Sequence, residues 1–383
     1  MRKTRYSEAY EMTRVIYPVG LGAFCIERFY RKIDHAVVFD MMYDCGSLSG
    51  YCDKIQQELW HLYANKPIDL VCISHFDEDH INVFRNLLNT PIIQSGITTI
   101  LMPQIIGDEL LEQVGVEMYV NYRELRQYLS REGFRIVDVL PMGDDTERIE
   151  EYLTNFDELN AHISSGARIT LSRFDGIWEY IPFNNFSIRQ NADLKQALLN
   201  ETNFSEQKIR DIHNGHNIDE QDIQTLKDAY GKLKQAHSPK NVSFINCNSL
   251  QILSKATYPV HSGAYIQYHL TWDSDNVSPI CCAINSSCMY TGDSVMDHKM
   301  INIQQRYLGA ENLGLFQIPH HGSKHCYDQR IIDHLNFQAA FVNTDLGNKK
   351  LSIAPEVIDW QHHNIPAMYM ALKGIGGIVE HIY

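Results

Sequence analysis

Residues 68–84 read IDLVCISHFDEDHINVF. The first seven are largely apolar and β-branched, and they read as a buried strand. Ile81, Phe84, Leu87 and Leu88 follow at helical spacing. Between strand and helix lie His75, Asp77, Glu78, Asp79 and His80. The turn that carries a strand end into a helix is where α/β folds place ligands and chemistry. In extended backbone the side chains at i and i+2 point the same way, so His75 and Asp77 can share one cation. Asp79 and His80 are adjacent, and the start of the helix can turn both toward a second. Imidazole and carboxylate together suit zinc, iron or manganese. The competing reading is a solvated acidic turn whose aspartate caps the helix. It would account for one histidine and one aspartate. Two of each after a buried strand favour a metal.

The chain has 383 residues, 44% of them hydrophobic, enough for a large core and too many for one small domain. Its N-terminal residues are charged and mixed, without the apolar stretch of a signal peptide, and no run approaches a membrane span. The nine cysteines are an odd number with no CxxC pair, which reads as reduced thiols in a cytoplasmic protein. The formal charge of −14 excludes attraction of nucleic acid over the whole surface. A polyanionic substrate would need a locally positive site, supplied by metal ions or a few basic side chains.

Strand patterns are expected at 16–28, 35–44, 68–74, 97–102 and 134–140, with a helix over 49–63. They return after residue 241, at 242–254, 264–272, 279–291, 313–319, 338–342, 367–371 and 377–383. Between these halves the composition shifts. A helical pattern near 147–159 and a strand-like piece at 167–183 precede a polar helical block from about 191 to 235. Residues 146–240 are therefore expected as an insertion, a mostly helical accessory lobe. The core, 1–145 and 241–383, is expected to be α/β, with two sheets covered by helices. Trp178, Tyr180, Phe183 and Phe186 could stack on bases; the alternating spacing of Trp178, Tyr180 and Pro182 fits one face of a buried strand better.

Two downstream stretches extend the argument. Cys288-Met289-Tyr290-Thr291-Gly292-Asp293-Ser294 ends a strand on a Gly-Asp pair. Phe316-Gln317-Ile318-Pro319-His320-His321-Gly322-Ser323 ends another on two histidines. Either alone is an ordinary turn or a surface pair. Together they supply a carboxylate able to bridge two ions and an imidazole able to close one site, and both come from strand ends that can converge.

These residues resemble the metallo-β-lactamase fold superfamily. Its HxHxDH motif reads here as His75-x-Asp77-x-Asp79-His80, and aspartate in the second place is similar to the nuclease-like domain of ComEC-type competence (DNA-uptake) proteins. Val19-Gly20-Leu21-Gly22-Ala23 resembles that branch's first-strand VGQGD, and Phe39-Asp40 through Asp44-Cys45-Gly46-Ser47 its VDTG strand end. Asn246-Cys247-Asn248-Ser249-Leu250 is similar to NxNSL, Thr291-Gly292-Asp293 to TGD, and Pro319-His320-His321-Gly322-Ser323 to PHHGS. The match covers about 16–145 and 241–383 and is specific to fold and branch, not to a substrate.

The resemblance implies an αββα metallo-β-lactamase-like sandwich with an inserted helical lobe. It implies one or two divalent ions, zinc or manganese, at the sheet edges. His75 and Asp77 would hold one ion, Asp79 and His80 the other, and Asp293 would bridge. His320 or His321, with His321 favoured, would complete the second site. The chain departs from the pattern where the superfamily places another histidine before the bridging aspartate, because Asn246 and Asn248 stand there. It departs again at Ala354, where the branch's GxxNxxxHP segment has histidine. Gly20 and Gly22 lack the third glycine of a nucleotide fingerprint and fit a tight strand.

The implied activity is hydrolysis by metal-bound hydroxide, with a phosphodiester as substrate, nucleic acid or nucleotide, and with Asp79 and Asp293 as the catalytic carboxylates. Lys324 and His325 could touch substrate, though an exposed loop lysine and histidine is the favoured reading of them. Two other readings stand beside this one. The first is an ester, lactone or thioester hydrolase on the same fold. The second is a degenerate binding or regulatory subunit. A protein partner or a second copy of the chain could dock on the 146–240 lobe.

Overall fold

The strands nearest the cluster are short and apolar on both sides, the pattern of parallel strands covered on two faces. A computed structural model of the chain describes residues 9–50, 52–63, 66–104, 116–142, 152–172, 176–185, 249–257, 264–269, 277–346, 353–363, 365–372 and 377–382, with isolated positions between 199 and 228. Along the chain run β1 (Tyr10–Ile16), β2 (Phe24–Arg31), β3 (Ala36–Cys45), α1 (Cys52–Leu62), β4 (Leu70–Cys72), α2 (Glu78–Leu87), β5 (Thr99–Pro103), α3 (Val116–Arg131) and β6 (Arg135–Val139). Next come β7 (Leu153–Asn155), β8 (His162–Ile163), β9 (Arg168–Thr170), β10 (Trp178–Asn184), β11 (Leu250–Ala256), β12 (Ala264–His269), β13 (Val277–Ile284) and β14 (Cys288–Tyr290). The chain ends with α4 (His298–Leu308), β15 (Leu313–Gln317), α5 (Gln329–Ile332), β16 (Phe337–Thr344), α6 (Pro355–Ile358), β17 (Met368–Leu372) and β18 (Gly377–Ile382).

The architecture is α/β with two mixed sheets. One has the order β13-β12-β18-β1-β2-β3-β4-β5-β6-β8 and the other β17-β16-β15-β14-β11-β10-β9-β7. β3 through β6 run parallel in the first, and β14 through β17 run parallel in the second. One apolar cluster joins Met12, Phe29, Phe39 and Tyr43 of the first sheet to Trp178, Tyr180, Tyr290 and Phe341 of the second. A second packs Ile55, Phe84 and Leu125 of α1, α2 and α3 on Ile26, Val71 and Ile100. A third packs Met300, Ile331 and Val357 of α4, α5 and α6 on Ile181, Leu253 and Phe316.

A buried ionic network also crosses between the sheets. Arg14 and Glu27 are both fully buried and paired at 2.8 Å. The Glu27 carboxylate accepts from Tyr180 Oη, Ser254 Oγ and Tyr290 Oη, each at 2.8 Å. Its donors thus come from β1 on one side and from β10, β11 and β14 on the other. A buried carboxylate is tolerable only with its lone pairs satisfied in this way.

Several expected boundaries move. Residues 16–28 are not one strand: β1 ends at Ile16, and 17–23, with Gly20 and Gly22, form a turn before β2. Residues 279–291 split at Asn285-Ser286-Ser287, so that β13 joins the first sheet and β14 the second. The segment expected as an insertion also divides. Leu153–Asn155, read from sequence as helix, is a strand, and β7 through β10 belong to the two sheets. Trp178, Tyr180 and Phe183 are fully buried there and present no face for stacking on bases. The described positions at 199–200, 207–208, 221–222, 224–225 and 228 are helical, and Leu199 packs on the cluster under α1–α3. Phe186 and residues 242–248, including Asn246 and Asn248, lie outside the described residues.

Candidate metal centre

The ends of β3, β4, β14, β15 and β16 converge on one place. β4 stops at Cys72, and residues 73–77 carry the chain into α2. The buried side of α2, with Ile81, Phe84 and Leu87, sits in the core and holds His80 inward with them. Asp77 is the N-cap of α2, yet its side chain makes no capping hydrogen bond, which answers the reading of this turn as a simple helix cap. Glycines permit the close approach. A Cβ on Gly46 would lie 2.7 Å from His80 N, and one on Gly292 would lie 2.8 Å from the Ser74 Cβ.

Four histidines arrive with the same orientation. His80 Nδ1 lies 2.9 Å from Asp44 Oδ2. His75 Nδ1 lies 2.8 Å from Ser74 Oγ, whose own hydroxyl donates to Asp44 Oδ2 at 2.7 Å. His321 Nδ1 lies 3.0 Å from the Asn343 carbonyl oxygen, and His320 Nδ1 lies 2.8 Å from Cys326 Sγ. Because an oxygen acceptor faces Nδ1 of His75, His80 and His321, the proton belongs on Nδ1 and the lone pair on Nε2 when the ring is neutral. Partners of this kind are what orient metal-ligating histidines.

The Nε2 atoms face three carboxylates. His80 Nε2 is 3.3 Å from Asp293 Oδ1, while His75 Nε2 and His320 Nε2 are 3.7 and 3.6 Å from Asp293 Oδ2. His321 Nε2 is 3.0 Å from Asp79 Oδ2, and Asp77 Oδ2 is 3.5 Å from His75 Nε2. Spacings of this size suit donors that each stand about 2 Å from a shared ion. Two sets of ligand atoms lie within 4.8 Å of one another: His75, His80 and Asp293, and Asp79, His80 and His321. The division expected from sequence, His75 with Asp77 against Asp79 with His80, is thus not a clean one, because His80 belongs to both sets. Asp77 and His320 stand at the rim, each reaching one member. The buried Nε2 atoms of His75 and His80 have no hydrogen-bond partner among the described residues. Buried polar atoms of this kind need a partner, and the donor set fits a divalent cation. These groups could hold a metal ion.

The chain's own charges are strongly interdependent here. Burial pushes the Asp79 carboxyl up, but His80 and the hydrogen bond from His321 outweigh it and hold it down at about 2. Asp293 is likewise held well below the usual carboxylate range: burial opposes, and His320, His80 and His321 prevail. Burial works against charge on His80, yet Asp293, Asp79 and Asp44 raise it well above an ordinary imidazole. His321 is raised in the same way, burial being outweighed by Asp293 and Asp79. His320 is lowered, chiefly by burial.

Sequence reasoning assigned no role to several supporting groups. Asp44 reads from the sequence only as part of a strand end. It accepts from Ser74 N and Oγ at 2.7 Å each and from His80. Ser249 Oγ accepts from Asp293 N at 3.0 Å and stands 3.4 Å from His75 Nδ1. A carboxylate two residues before a glycine at the end of a buried strand is the signal that could have marked Asp44. Nothing in the residue pattern singles out Ser74, Cys326 or Asn343. Ala354, where the resemblance implies histidine, is buried, and its N–H donates to the Gly322 carbonyl at 2.8 Å. Lys324 is exposed and is absent from the site's lining, as is His325. Among the described residues no helix is long and apolar enough to cross a membrane. No protein-family model matches the chain, and no curated protein matches it.

Proposed function

We propose that the chain is a metal-dependent hydrolase with the αββα sandwich of the metallo-β-lactamase fold, acting on a phosphodiester. The observation that carries this reading is the convergence of His75, Asp79, His80, Asp293 and His321 from three strand ends, with buried Nε2 atoms on His75 and His80 that no group among the described residues satisfies. His75, His80, Asp79, His321 and Asp293 would hold zinc or manganese, one ion or two. A bound divalent ion supplies hydroxide near neutral pH and neutralises charge on a phosphoryl oxygen.

The chain's residues do the rest. Asp44, Ser74 and Asn343 fix the tautomers of His80, His75 and His321 before substrate arrives, so little reorganisation remains at the moment of reaction. Asp79 stays ionised next to His80 and His321 and can orient an attacking water or accept its proton. Asp293 presents one oxygen to each side of the centre. The overall negative charge favours a compact phosphodiester, such as a nucleotide or a strand end, over a long duplex.

The test is hydrolysis of single- and double-stranded DNA, RNA and a chromogenic phosphodiester with manganese, zinc or magnesium added in turn. Activity is expected to require the ion and to be lost in Asp293→Ala. Cleavage by the variant at the wild-type rate would show that this centre is not where hydrolysis occurs. Turnover of a lactone panel without any phosphodiester would place the chain among carbonyl hydrolases instead.

A further inference from the structure

We propose that His320 is a metal ligand in its own right, at the position beside His75, Asp77 and Asp293, and that Cys326 is the positioning residue that holds its ring. The inference rests on the metal-centre reading above and adds a specific division of labour. The two histidines of Pro319-His320-His321-Gly322 serve two different ions rather than competing for one.

Three observations point this way. The first is the division of Asp293. Its Oδ1 faces His80, on the side where Asp79 and His321 meet, whereas its Oδ2 faces His75 at 3.7 Å and His320 at 3.6 Å. His320 therefore lies on the side of the carboxylate that has His75 and Asp77.

The second is orientation. His320 repeats the arrangement of the other three histidines: Nδ1 is engaged by the protein, here by Cys326 Sγ at 2.8 Å, and Nε2 is turned to the carboxylates. Cys326 is itself buried, so the contact is fixed by the core and not by a mobile surface side chain. A partner on the far nitrogen is what sets the ring plane of a metal-bound histidine.

The third is backbone strain. His320 and His321 are consecutive non-glycine residues with φ of 48° and 56°. Left-handed conformations cost roughly 1–2 kcal/mol per such residue, and strain of this kind is retained where the surroundings require it. Were only His321 a ligand, one left-handed residue could turn it inward. Two in succession bring His320 to Asp293 and His321 to Asp79 from one short turn. The rim position of His320, with 25% of its side chain exposed beside 33% for Asp77, leaves room for both to close on an ion.

Metal content decides the matter. Chelated protein is dialysed against manganese or cobalt(II), and ions per chain and their dissociation constants are read for wild type, His320→Ala, His320→Asn and His321→Ala. Asparagine tolerates the left-handed backbone, so His320→Asn keeps the turn if alanine disturbs it. Wild type is expected to take up two ions. Each His320 variant is expected to keep one at unchanged affinity and to bind the other at least about 100-fold more weakly, beyond the range seen for loss of a supporting partner. His321→Ala should lose the opposite ion, and Cys326→Ser should weaken the His320 ion by about tenfold. Two ions at wild-type affinity in both His320 variants would overturn the assignment. So would unchanged metal content with lost hydrolysis, which would put His320 on substrate. A wild-type chain that takes up no ion would overturn the metal centre itself, and with it this inference.

Discussion

Asp44 Oδ2 lies 2.9 Å from His80 Nδ1 at the floor of the centre, and both side chains are buried. Asp44 is also left-handed, with φ of 52°, a conformation that aspartate and asparagine tolerate better than most residues. Its remaining lone pairs are occupied by Ser74 N and Oγ. Asp44→Asn keeps the shape and the backbone preference but removes the anionic acceptor behind His80. Metal affinity is expected to fall 10- to 100-fold while the fold persists. Isothermal titration with manganese or zinc checks this, and an unchanged dissociation constant would remove Asp44 from the account of how His80 is oriented.

The pH dependence has a definite sign. His80 and His321 are raised by the carboxylates around them. A group raised on folding contributes stability that is present below its unfolded value, about 6.5 for histidine, and is lost as pH climbs through the folded value. Asp79 and Asp293 are lowered, so their contribution is present above about 3.8 and is lost as pH falls through their folded values. Chelated protein should therefore lose stability above about pH 6.5 as the imidazolium charges facing Asp79 and Asp293 disappear. A bound cation replaces those charges and no longer competes with protons. The gap in Tm between metal-loaded and chelated protein is expected to widen from about pH 6 to about pH 8.5. A gap that is constant over that range would count against His80 and His321 as ligands.

Gly46 tests the approach of the β3 end to α2. A Cβ there would fall inside contact distance of the Asp79 carbonyl and 2.7 Å from His80 N, both backbone groups that cannot swing aside. Gly46→Ala is expected to cost about 1–3 kcal/mol, as overpacking does, and to displace the first turn of α2 with Asp79 and His80 on it. Gly50→Ala is the control, since a Cβ at Gly50 meets nothing within 4 Å. The first variant should lower both Tm and metal uptake. The second should leave metal uptake as it is.

The sequence made some of this legible and hid the rest for physical reasons. The step from apolar strand to charged turn to helix at 68–88 was readable, because burial on two faces and helical periodicity leave marks in the residues themselves. Cys288–Tyr290 was not readable as a separate strand. Periodicity registers an extended run but not which sheet it joins, and the change of sheet happens at Asn285-Ser286-Ser287, a polar break only three residues long. Leu153–Asn155 is three residues with one exposed leucine, too short and too polar to distinguish from helix. The site histidines and aspartates announced themselves by density. Asp44 reaches Ser74 and His80 across 30 and 36 residues of chain, Ser249 reaches Asp293 and His75 across 44 and 174, and no local pattern encodes those contacts.

Glu27 offers a test of how the two sheets are held together. Its carboxylate accepts from Arg14 in the first sheet and from Tyr180, Ser254 and Tyr290 in the second, all fully buried. Burial keeps the two tyrosines protonated as donors, because it raises both well above an ordinary phenol. Removing the carboxylate alone takes from Arg14 the buried anionic partner that lies 2.8 Å away. Glu27→Ala is expected to destabilise by about 3–5 kcal/mol, the usual cost of breaking a buried pair. Replacing both ions by apolar residues, Arg14→Met with Glu27→Leu, removes the buried guanidinium together with its anion and should recover much of that loss, though the hydroxyls of Tyr180, Ser254 and Tyr290 would then lack this acceptor. Urea unfolding of the three proteins measures the difference. If the single variant is as stable as wild type, the network is not what ties the sheets. If the double variant is no better than the single, the hydroxyls on the second sheet, and not the charge on Arg14, are what Glu27 is there to satisfy.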